Sequence, residues 1–253
     1  MKWAVEIQRT SLERRNLVDL LARLDFKVVD GIDSNLAFTA PLFEQMDSTE
    51  VWAEAKKLRE AMIGPAEIDP DFTLGAVIDY SASEPKRHYS MEAKPGEFKI
   101  SAGTVTLTVS PPKGLSEEQV IAWQAAHAEQ EYQTRLEAQL SKLEPAYREP
   151  RAAKILELLK RDEHTGESLY KIVELLVEGD PYKSKGQKFR KAFGVSEDEF
   201  KRFAAAVHNP DVSGDFARHA YSQQHVPNPM TAVEAERFVR RLVAAWLNTL
   251  RKP

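Results

Sequence analysis

The length, composition and charge of the chain exclude several classes of protein. Its 253 residues carry 29% charged side chains and a net charge of −4, and they are sufficient for one large domain or two ordinary ones. There is no cysteine, which excludes a disulfide scaffold, a cysteine nucleophile and thiolate metal sites. The longest apolar run near the C-terminus, residues 242–247, is far shorter than the roughly 20 residues that cross a bilayer, so we expect a cytoplasmic protein that contacts no membrane.

The first strand and helix follow from alternation and capping. Apolar and polar side chains alternate over residues 3–9, which predicts a strand with one solvent-exposed face. Residues 10–13, Thr-Ser-Leu-Glu, have the spacing of a capping box, in which a hydroxyl and a carboxylate satisfy free N–H groups at a helix start. An apolar stripe predicts that the helix covers a sheet and ends near Asp25; it consists of Leu17, Leu20, Leu21 and Leu24.

A hairpin, a second helix and further strands are predicted next. Residues 26–29 and 36–39 flank a turn, and residues 47–50 form another capping box before a helix that Gly64 and Pro65 end. Residues 72–80 and 104–109 are β-rich, with a weaker strand or two between them. The order βαββαβ with a β extension predicts a ferredoxin-like α+β domain. Because many unrelated functions use this fold, it indicates no activity by itself.

A proline-rich break at residues 110–114 predicts the domain boundary. A capped helix begins at Ser116 and continues to about Leu143, a length of roughly 40 Å at 1.5 Å per residue. Such a helix packs along its own bundle, connects domains or pairs with a second copy. Its predicted buried stripe is Ile121, Ala125, Ala128, Tyr132, Leu136, Leu140 and Leu143. The predicted domains are therefore residues 1–112, a connecting helix over 113–148, and residues 149–253.

The periodicity after Glu144 and Pro145 is helical throughout, which predicts an all-α bundle over residues 149–253. Helices are predicted at 151–161, 167–178, 186–193, 197–208 and 232–250. The last helix has the clearest apolar pattern, with Val233, Phe238, Val239, Leu242, Val243, Trp246, Leu247 and Leu250 expected in the core. Residues 208–230 form a long connection, and connections of this length are usually functional or disordered.

A run of basic residues suggests an anionic partner. Residues 149–253 hold 18 Lys and Arg against 15 Asp and Glu, a local charge of +3. Five cations stand within nine residues without an acid between them: Lys183, Lys185, Lys188, Arg190 and Lys191. This pattern is typical of a solvated surface, and it also suits contact with RNA or with an acidic protein surface.

The segment from Arg202 to His208 raises the possibility of catalysis. An imidazole can move protons at a ribose 2′-hydroxyl while a guanidinium neutralises the phosphate, which would cleave RNA without a metal. With five residues between Arg202 and His208 near a helix end, the segment resembles the HEPN families, which are small helical bundles, often dimeric and often RNases. Phe203 stands where those families usually have Asn, Asp or His. The resemblance implies a metal-independent endoribonuclease, for example a toxin or defence effector.

Two alternatives use the loop that follows. Arg218 and His225 form a second pair at similar spacing, with His219 beside Arg218, and His208, Asp211, Asp215 and His219 could together ligate a metal ion. The same side chains also suit helix stops, turns and hydrogen bonds that hold the loop. We therefore expect a non-catalytic binding protein that contacts RNA or an acidic protein through the basic run, with an HEPN-like RNase as the alternative. We expect no cofactor, and we expect the protein to form a homodimer.

Overall fold

The computed structural model describes residues 1–89, 111–112, 116–179, 181, 183–218 and 227–251. It confirms an α+β protein, with a sheet near the N-terminus and helices after it. The chain forms two compact units: unit 1 contains residues 1–56 and 73–140, and unit 2 contains residues 57–72 and 141–253. The predicted division at residues 112 and 148 stays a prediction.

Unit 1 contains an antiparallel sheet of five strands among the described residues. The strands are β1 (Trp3–Arg9), β2 (Lys27–Asp30), β3 (Leu36–Thr39), β4 (Thr73–Asp79) and β5 (Lys86–His88). Their order across the sheet is β2-β3-β1-β4-β5. The predicted strand over 3–9 and the predicted hairpin are confirmed, the hairpin by pairing of Val28 with Phe38. The predicted strand over 104–109 lies outside the described residues.

The helices of unit 1 differ in how they begin. Helix α1 (Arg14–Ala22) has Glu13 at its N-cap with no side-chain hydrogen bond, so the capping box predicted at residues 10–13 is wrong. The Thr10 hydroxyl instead accepts a hydrogen bond from the Leu12 N–H at 3.1 Å, which satisfies a local turn. Before helix α2 (Ser48–Ile63), the Asp47 carboxylate accepts from the Glu50 N–H at 2.9 Å and Glu50 accepts from the Asp47 N–H at 3.0 Å. The second predicted box is therefore confirmed.

An aromatic cluster and the leucine stripe form the core of unit 1. The four stripe leucines, three in α1 and Leu24 just after it, are at most 3% exposed. Phe26 and Phe38 meet edge to face with ring centroids 5.4 Å apart, and Phe43 packs against Phe26 at 5.9 Å. Aromatic pairs in this geometry add about 1 kcal/mol each to the burial of their area.

Helix α3 (Glu117–Arg148) is longer than predicted. It continues through Pro145 to Arg148, beyond the helix end predicted near Leu143. Its predicted stripe is confirmed only in part, because Tyr132, Leu136, Leu140 and Leu143 are buried whereas Ile121 is 62% exposed and Ala125 and Ala128 are exposed. Within unit 1, the Tyr132 hydroxyl donates to the Asp19 carboxylate at 2.5 Å, which ties α3 to α1.

Unit 2 is built from packed helices: α4 (Pro150–Leu159), α5 (Gly166–Leu176), α6 (Ser184–Ala192), α7 (Glu197–His208), α8 (Pro210–Ser213) and α9 (Ala232–Leu250). Helix α5 contacts α4, α7 and α9 and is the central element. Phe203 on α7 is fully buried, with its ring 5.0 Å from that of Phe238 on α9. The bounds predicted for α7 and α9 are confirmed.

Two further sequence expectations for unit 2 are resolved. Val233 is 65% exposed, so its assignment to the core is wrong. The buried residue of the same turn is Ala235, which lies about 200° around the helix from Val233. The other predicted core positions from Phe238 to Leu247 are buried. No helix of the described residues has the length and hydropathy required to cross a membrane.

Candidate functional site

The basic helix α6 is held in place by Pro181. A Cβ atom on Gly186 would lie 2.0 Å from the Pro181 carbonyl oxygen, so only glycine permits this approach. Four residues later on the same face of α6, the Arg190 guanidinium donates to that oxygen at 3.2 Å. Arg190 also lies over the Phe200 ring, 5.0 Å from its centroid. Gly186 and Arg190 therefore define the inward face of α6.

The lysines of α6 occupy the opposite face. Lys185, Lys188 and Lys191 are spaced at i, i+3 and i+6, which places them within about 120° of arc on a helix of 3.6 residues per turn. All three are exposed, as is Lys183 at the N-cap. Of the five cations in the predicted patch, four thus face solvent and Arg190 packs inward. We call Lys185, Lys188 and Lys191 the lysine face.

A shallow groove of about 220 Å³ borders the lysine face. Lys185 and Lys188 line one side of it, and Arg151 and the buried Trp246 line the other. Glu178 bridges the two sides, 3.5 Å from the Lys185 ammonium and 3.0 Å from the Arg151 guanidinium. Hydrogen bonding to Glu149, and then its charge, raise the pKa of Arg151 above the ordinary value. The groove therefore combines fixed positive charge with aromatic and aliphatic surface.

Arg202 and His208 do not come together. They are six positions apart on the helix, which separates them by about 9 Å of rise and about 240° of rotation. The Arg202 guanidinium donates to the Asn228 carbonyl oxygen at 2.5 Å and borders a cavity of about 260 Å³ with Met230 and Phe238. His208 is 8% exposed and packs against Tyr170 of α5 instead.

Arg218, unlike Arg202, shares a neighbour with His208. The His208 ring meets Tyr170 edge to face at 4.5 Å, and the exposed Arg218 guanidinium lies 4.8 Å from the centre of the same Tyr170 ring. The backbone supports this cluster, since the Arg218 N–H donates to the Val207 carbonyl at 2.7 Å. A Cβ atom on Gly166 would stand 2.5 Å from that same carbonyl oxygen, so α5 approaches the end of α7 closely.

The metal hypothesis finds no support in the described part of the chain. No three His, Asp or Glu side chains of those residues lie close enough together to hold an ion. Asp211 and Asp215 are exposed, on α8 and on the 3-10 turn after it. His219 and His225 lie outside the described residues.

Two groups of interest were missed from the sequence. Tyr170 had no distinguishing signal beyond its place in an apolar helix. Glu6 was assigned to the wet face of β1, yet it is only 8% exposed and its Oε1 accepts a hydrogen bond from Arg87 at 2.9 Å. The small neighbour Ala4, also buried, was the one hint that this face of β1 is covered.

The chain was compared with protein-family models, with curated proteins and with solved structures, and none of the three comparisons finds a match. The resemblance to the HEPN families therefore stays a prediction, and any function is argued from the geometry of the chain itself.

Proposed function

We propose that this protein is a non-catalytic RNA-binding protein that contacts RNA through the lysine face of α6. The observation that carries the proposal is the arrangement of Lys185, Lys188 and Lys191, three exposed cations on one face of a helix whose other face is fixed against Pro181. Lysines on a fixed helix present their charges at a constant spacing. Phosphate contacts of this kind supply most of the affinity of proteins that bind nucleic acid without sequence preference.

The bordering groove favours RNA over an acidic protein surface. Polynucleotides offer both phosphates for Lys185 and Lys188 and flat bases for the half-buried ring of Phe189. An acidic peptide supplies only the carboxylates. The Glu178 carboxylate pairs with both Lys185 and Arg151, and RNA phosphates would compete with it for these two cations.

The experiment measures RNA affinity after three lysines are neutralised. The variant Lys185→Gln, Lys188→Gln and Lys191→Gln is compared with a control carrying Lys154→Gln, Lys171→Gln and Lys201→Gln, which removes equal charge from other exposed positions of unit 2. We expect the first variant to lose at least tenfold in affinity for an RNA oligonucleotide at about 0.1 M salt and the control to lose little.

The alternative outcomes separate the partner classes. If both variants lose affinity equally, the binding reflects overall charge and the lysine face has no special role. If the wild-type protein binds polyglutamate but no RNA, and the lysine variant loses that binding, the partner is an acidic protein and the RNA proposal is overturned.

An HEPN-like endoribonuclease is the second candidate, supported by the cluster of His208 and Arg218 around Tyr170. A histidine and an arginine that contact the same tyrosine ring could together serve proton transfer and phosphate stabilisation. The test is RNA cleavage in the presence of EDTA. His208→Ala and Arg218→Gln should abolish cleavage with an unchanged circular dichroism spectrum, whereas Arg202→Gln should not. Intact RNA after incubation with the wild-type protein eliminates this candidate.

We further propose that unit 1 has the ferredoxin-like topology and that the protein is a homodimer. The topology is supported by the strand order β2-β3-β1-β4, with α1 between β1 and β2 and α2 between β3 and β4 along the chain. The dimer is supported by the length of α3, whose first turns leave Ile121 62% exposed. Light scattering that returns a monomer at micromolar concentration would refute the dimer.

A further inference from the structure

Unit 1 contains a cavity of about 440 Å³ beside its sheet. The end of β1, the start of β4, strand β5 and the turn before β3 all contribute to its walls. The volume lies within the range of about 300–1,000 Å³ that is usual for small-ligand sites. Its polar lining residues are Glu6, Gln8, Asn35, Arg87 and Tyr89. All of its lining residues belong to unit 1, and it shares none with the lysine face.

Glu6 is a buried carboxylate with acceptor capacity to spare. Its Oε1 accepts from the Arg87 Nε–H at 2.9 Å, and its Oε2 accepts from the Ala76 N–H at 3.3 Å. A carboxylate offers about four lone-pair sites, so these contacts within the described residues leave two. Gly75 makes the arrangement possible, because a Cβ atom there would stand 2.9 Å from the Cβ of Glu6.

Arg87 is fixed beside Glu6 by two carboxylates. Its Nη2 donates to the Asp33 Oδ2 at 3.0 Å, while its Nε donates to Glu6. Hydrogen bonding to Asp33 and to Glu6 raises the pKa of Arg87, so the guanidinium is charged at every relevant pH. Of its five N–H donors, these contacts use two. The side chain thus holds further donors next to the acceptors of Glu6.

We infer that this cavity binds a guanine base. Guanine presents, along one edge, a carbonyl acceptor followed by two neighbouring N–H donors. The carbonyl would accept from Arg87, and the two donors would bind the remaining acceptor sites of Glu6. Adenine, cytosine and uracil do not present two neighbouring donors on this edge. The carboxylate therefore discriminates in favour of guanine.

Tyr89 supplies a stacking surface at the rim of the cavity. It is 76% exposed, which is unusual for a large aromatic side chain in a folded protein. Bases bound outside a duplex commonly stack on an exposed aromatic ring while polar groups bind their edge. Glu6, Arg87 and Tyr89 together thus provide edge recognition and a stacking surface within one cavity.

The first experiment compares nucleotides by isothermal titration calorimetry. We expect guanosine monophosphate to bind the full chain at least tenfold more tightly than adenosine monophosphate, the ratio that one bidentate pair supplies. Equal affinity for the two nucleotides, or no binding of guanosine monophosphate at about 1 mM, overturns the inference.

RNA oligonucleotides distinguish the source of the base. An adenosine hexamer with one guanosine is compared with a hexamer of adenosine alone, which carries the same charge. Tighter binding of the guanosine hexamer than of the all-adenosine hexamer indicates a base within RNA, and a guanine preference seen only among the mononucleotides indicates a free nucleotide. Both results support guanine recognition, whereas equal binding of the two hexamers together with equal binding of the two mononucleotides contradicts it.

Variants of the rim and of the carboxylate test the assigned roles. Tyr89→Ala should weaken binding of guanosine monophosphate roughly 5- to 150-fold, the loss of one stacked base, while the matched Tyr89→Phe keeps the ring and the affinity. Unchanged affinity in Tyr89→Ala refutes the stacking role. Glu6→Gln replaces one acceptor by a donor and should abolish the preference for guanine; a retained preference in a folded Glu6→Gln protein refutes the edge contact.

The inference is independent of the proposed function. Neutralising Lys185, Lys188 and Lys191 should leave the affinity ratio between guanosine and adenosine monophosphate unchanged, because those lysines belong to unit 2. Loss of RNA binding in the lysine variant with an intact nucleotide preference supports both proposals. A lost preference in that variant would place guanine recognition outside the cavity and overturn the inference.

Discussion

Replacement of Gly186 by alanine tests whether α6 is fixed where the lysine face requires it. The added Cβ atom would stand 2.0 Å from the Pro181 carbonyl oxygen and 2.4 Å from its carbonyl carbon. Because Cβ atoms do not come closer than 3.0 Å to such backbone atoms, α6 must move away by at least 1.0 Å, the difference between 3.0 and 2.0 Å. The move also lengthens the hydrogen bond from Arg190 to the same oxygen.

Whether Gly186→Ala raises or lowers the free energy of unfolding shows whether Pro181 blocks the added Cβ atom. Glycine to alanine at an unhindered helix position stabilises a protein by up to about 1 kcal/mol through helix propensity. Overpacking against a backbone that cannot yield costs about 1–3 kcal/mol. We therefore expect Gly186→Ala to lower the free energy of unfolding by about 1–2 kcal/mol. For a chain of this size that corresponds to a fall of about 2–8 °C in Tm.

The assay is urea unfolding followed by circular dichroism, with RNA affinity measured in parallel. Gln187→Ala is the matched control, because the neighbouring side chain is exposed and its removal should change stability by no more than about 0.5 kcal/mol. A Gly186→Ala protein that is as stable as the wild type, or more stable, would refute the contact with Pro181 and the fixed position of the lysine face.

Other predictions concern the packing and capping of unit 2. Phe203→Ala should lower the free energy of unfolding by about 3–5 kcal/mol, measured by urea unfolding, because the ring is fully buried against Phe200 and Phe238. Thr231→Ala should cost about 1 kcal/mol, since its hydroxyl accepts from the Glu234 N–H at 3.2 Å; an unchanged Tm would exclude the cap. Hydrogen bonds from the Thr231 backbone and side chain lower the pKa of Glu234 below its ordinary 4.5. The contribution of the hydrogen bonds to the Glu234 carboxylate is present above pH 4.5 and lost as the pH falls through the lowered pKa. The difference in Tm between the wild type and Thr231→Ala should therefore narrow in acid without vanishing, because the bond from the Glu234 N–H to the Thr231 hydroxyl does not depend on pH.

Elements whose signals are local were predicted correctly. The strand over 3–9 and the reciprocal bonds of Asp47 and Glu50 are properties of short segments, and the structure has both, although burial along the strand does not alternate from Trp3 to Ile7. The bounds of α9 follow from its own capping box and stripe. Such elements depend little on what the rest of the chain does.

Expectations that depended on distant partners were less successful. Ile121 continues the spacing of Tyr132 and Leu136, yet it is 62% exposed, because periodicity identifies a helix face without identifying what covers it. At residues 10–13 the Thr10 hydroxyl had a competing backbone partner two residues away. The long helix was expected to end near Leu143, but it continues to Arg148, and the Glu149 N–H donates to the Pro145 carbonyl at 2.9 Å.

The sequence predicted which residue types the candidate site contains, but not how they are arranged in space. The basic run was visible in the sequence, but the inward position of Arg190 depends on Pro181 and Phe200. The spacing of Arg202 and His208 suggested a pair, whereas helical rotation directs them to Asn228 and Tyr170. The nearness of Arg218 to His208 results from packing between α5 and α7, which no local pattern encodes.

The salt dependence of RNA affinity tests the lysine face most directly. Three phosphate contacts to single-stranded RNA predict a slope of about −2 for the logarithm of the association constant against the logarithm of salt concentration, since each contact contributes about −0.7. The wild-type protein should show this slope by fluorescence anisotropy, and the variant without Lys185, Lys188 and Lys191 should show a slope near zero. The same slope in both proteins, or no RNA binding by the wild type, would contradict the account.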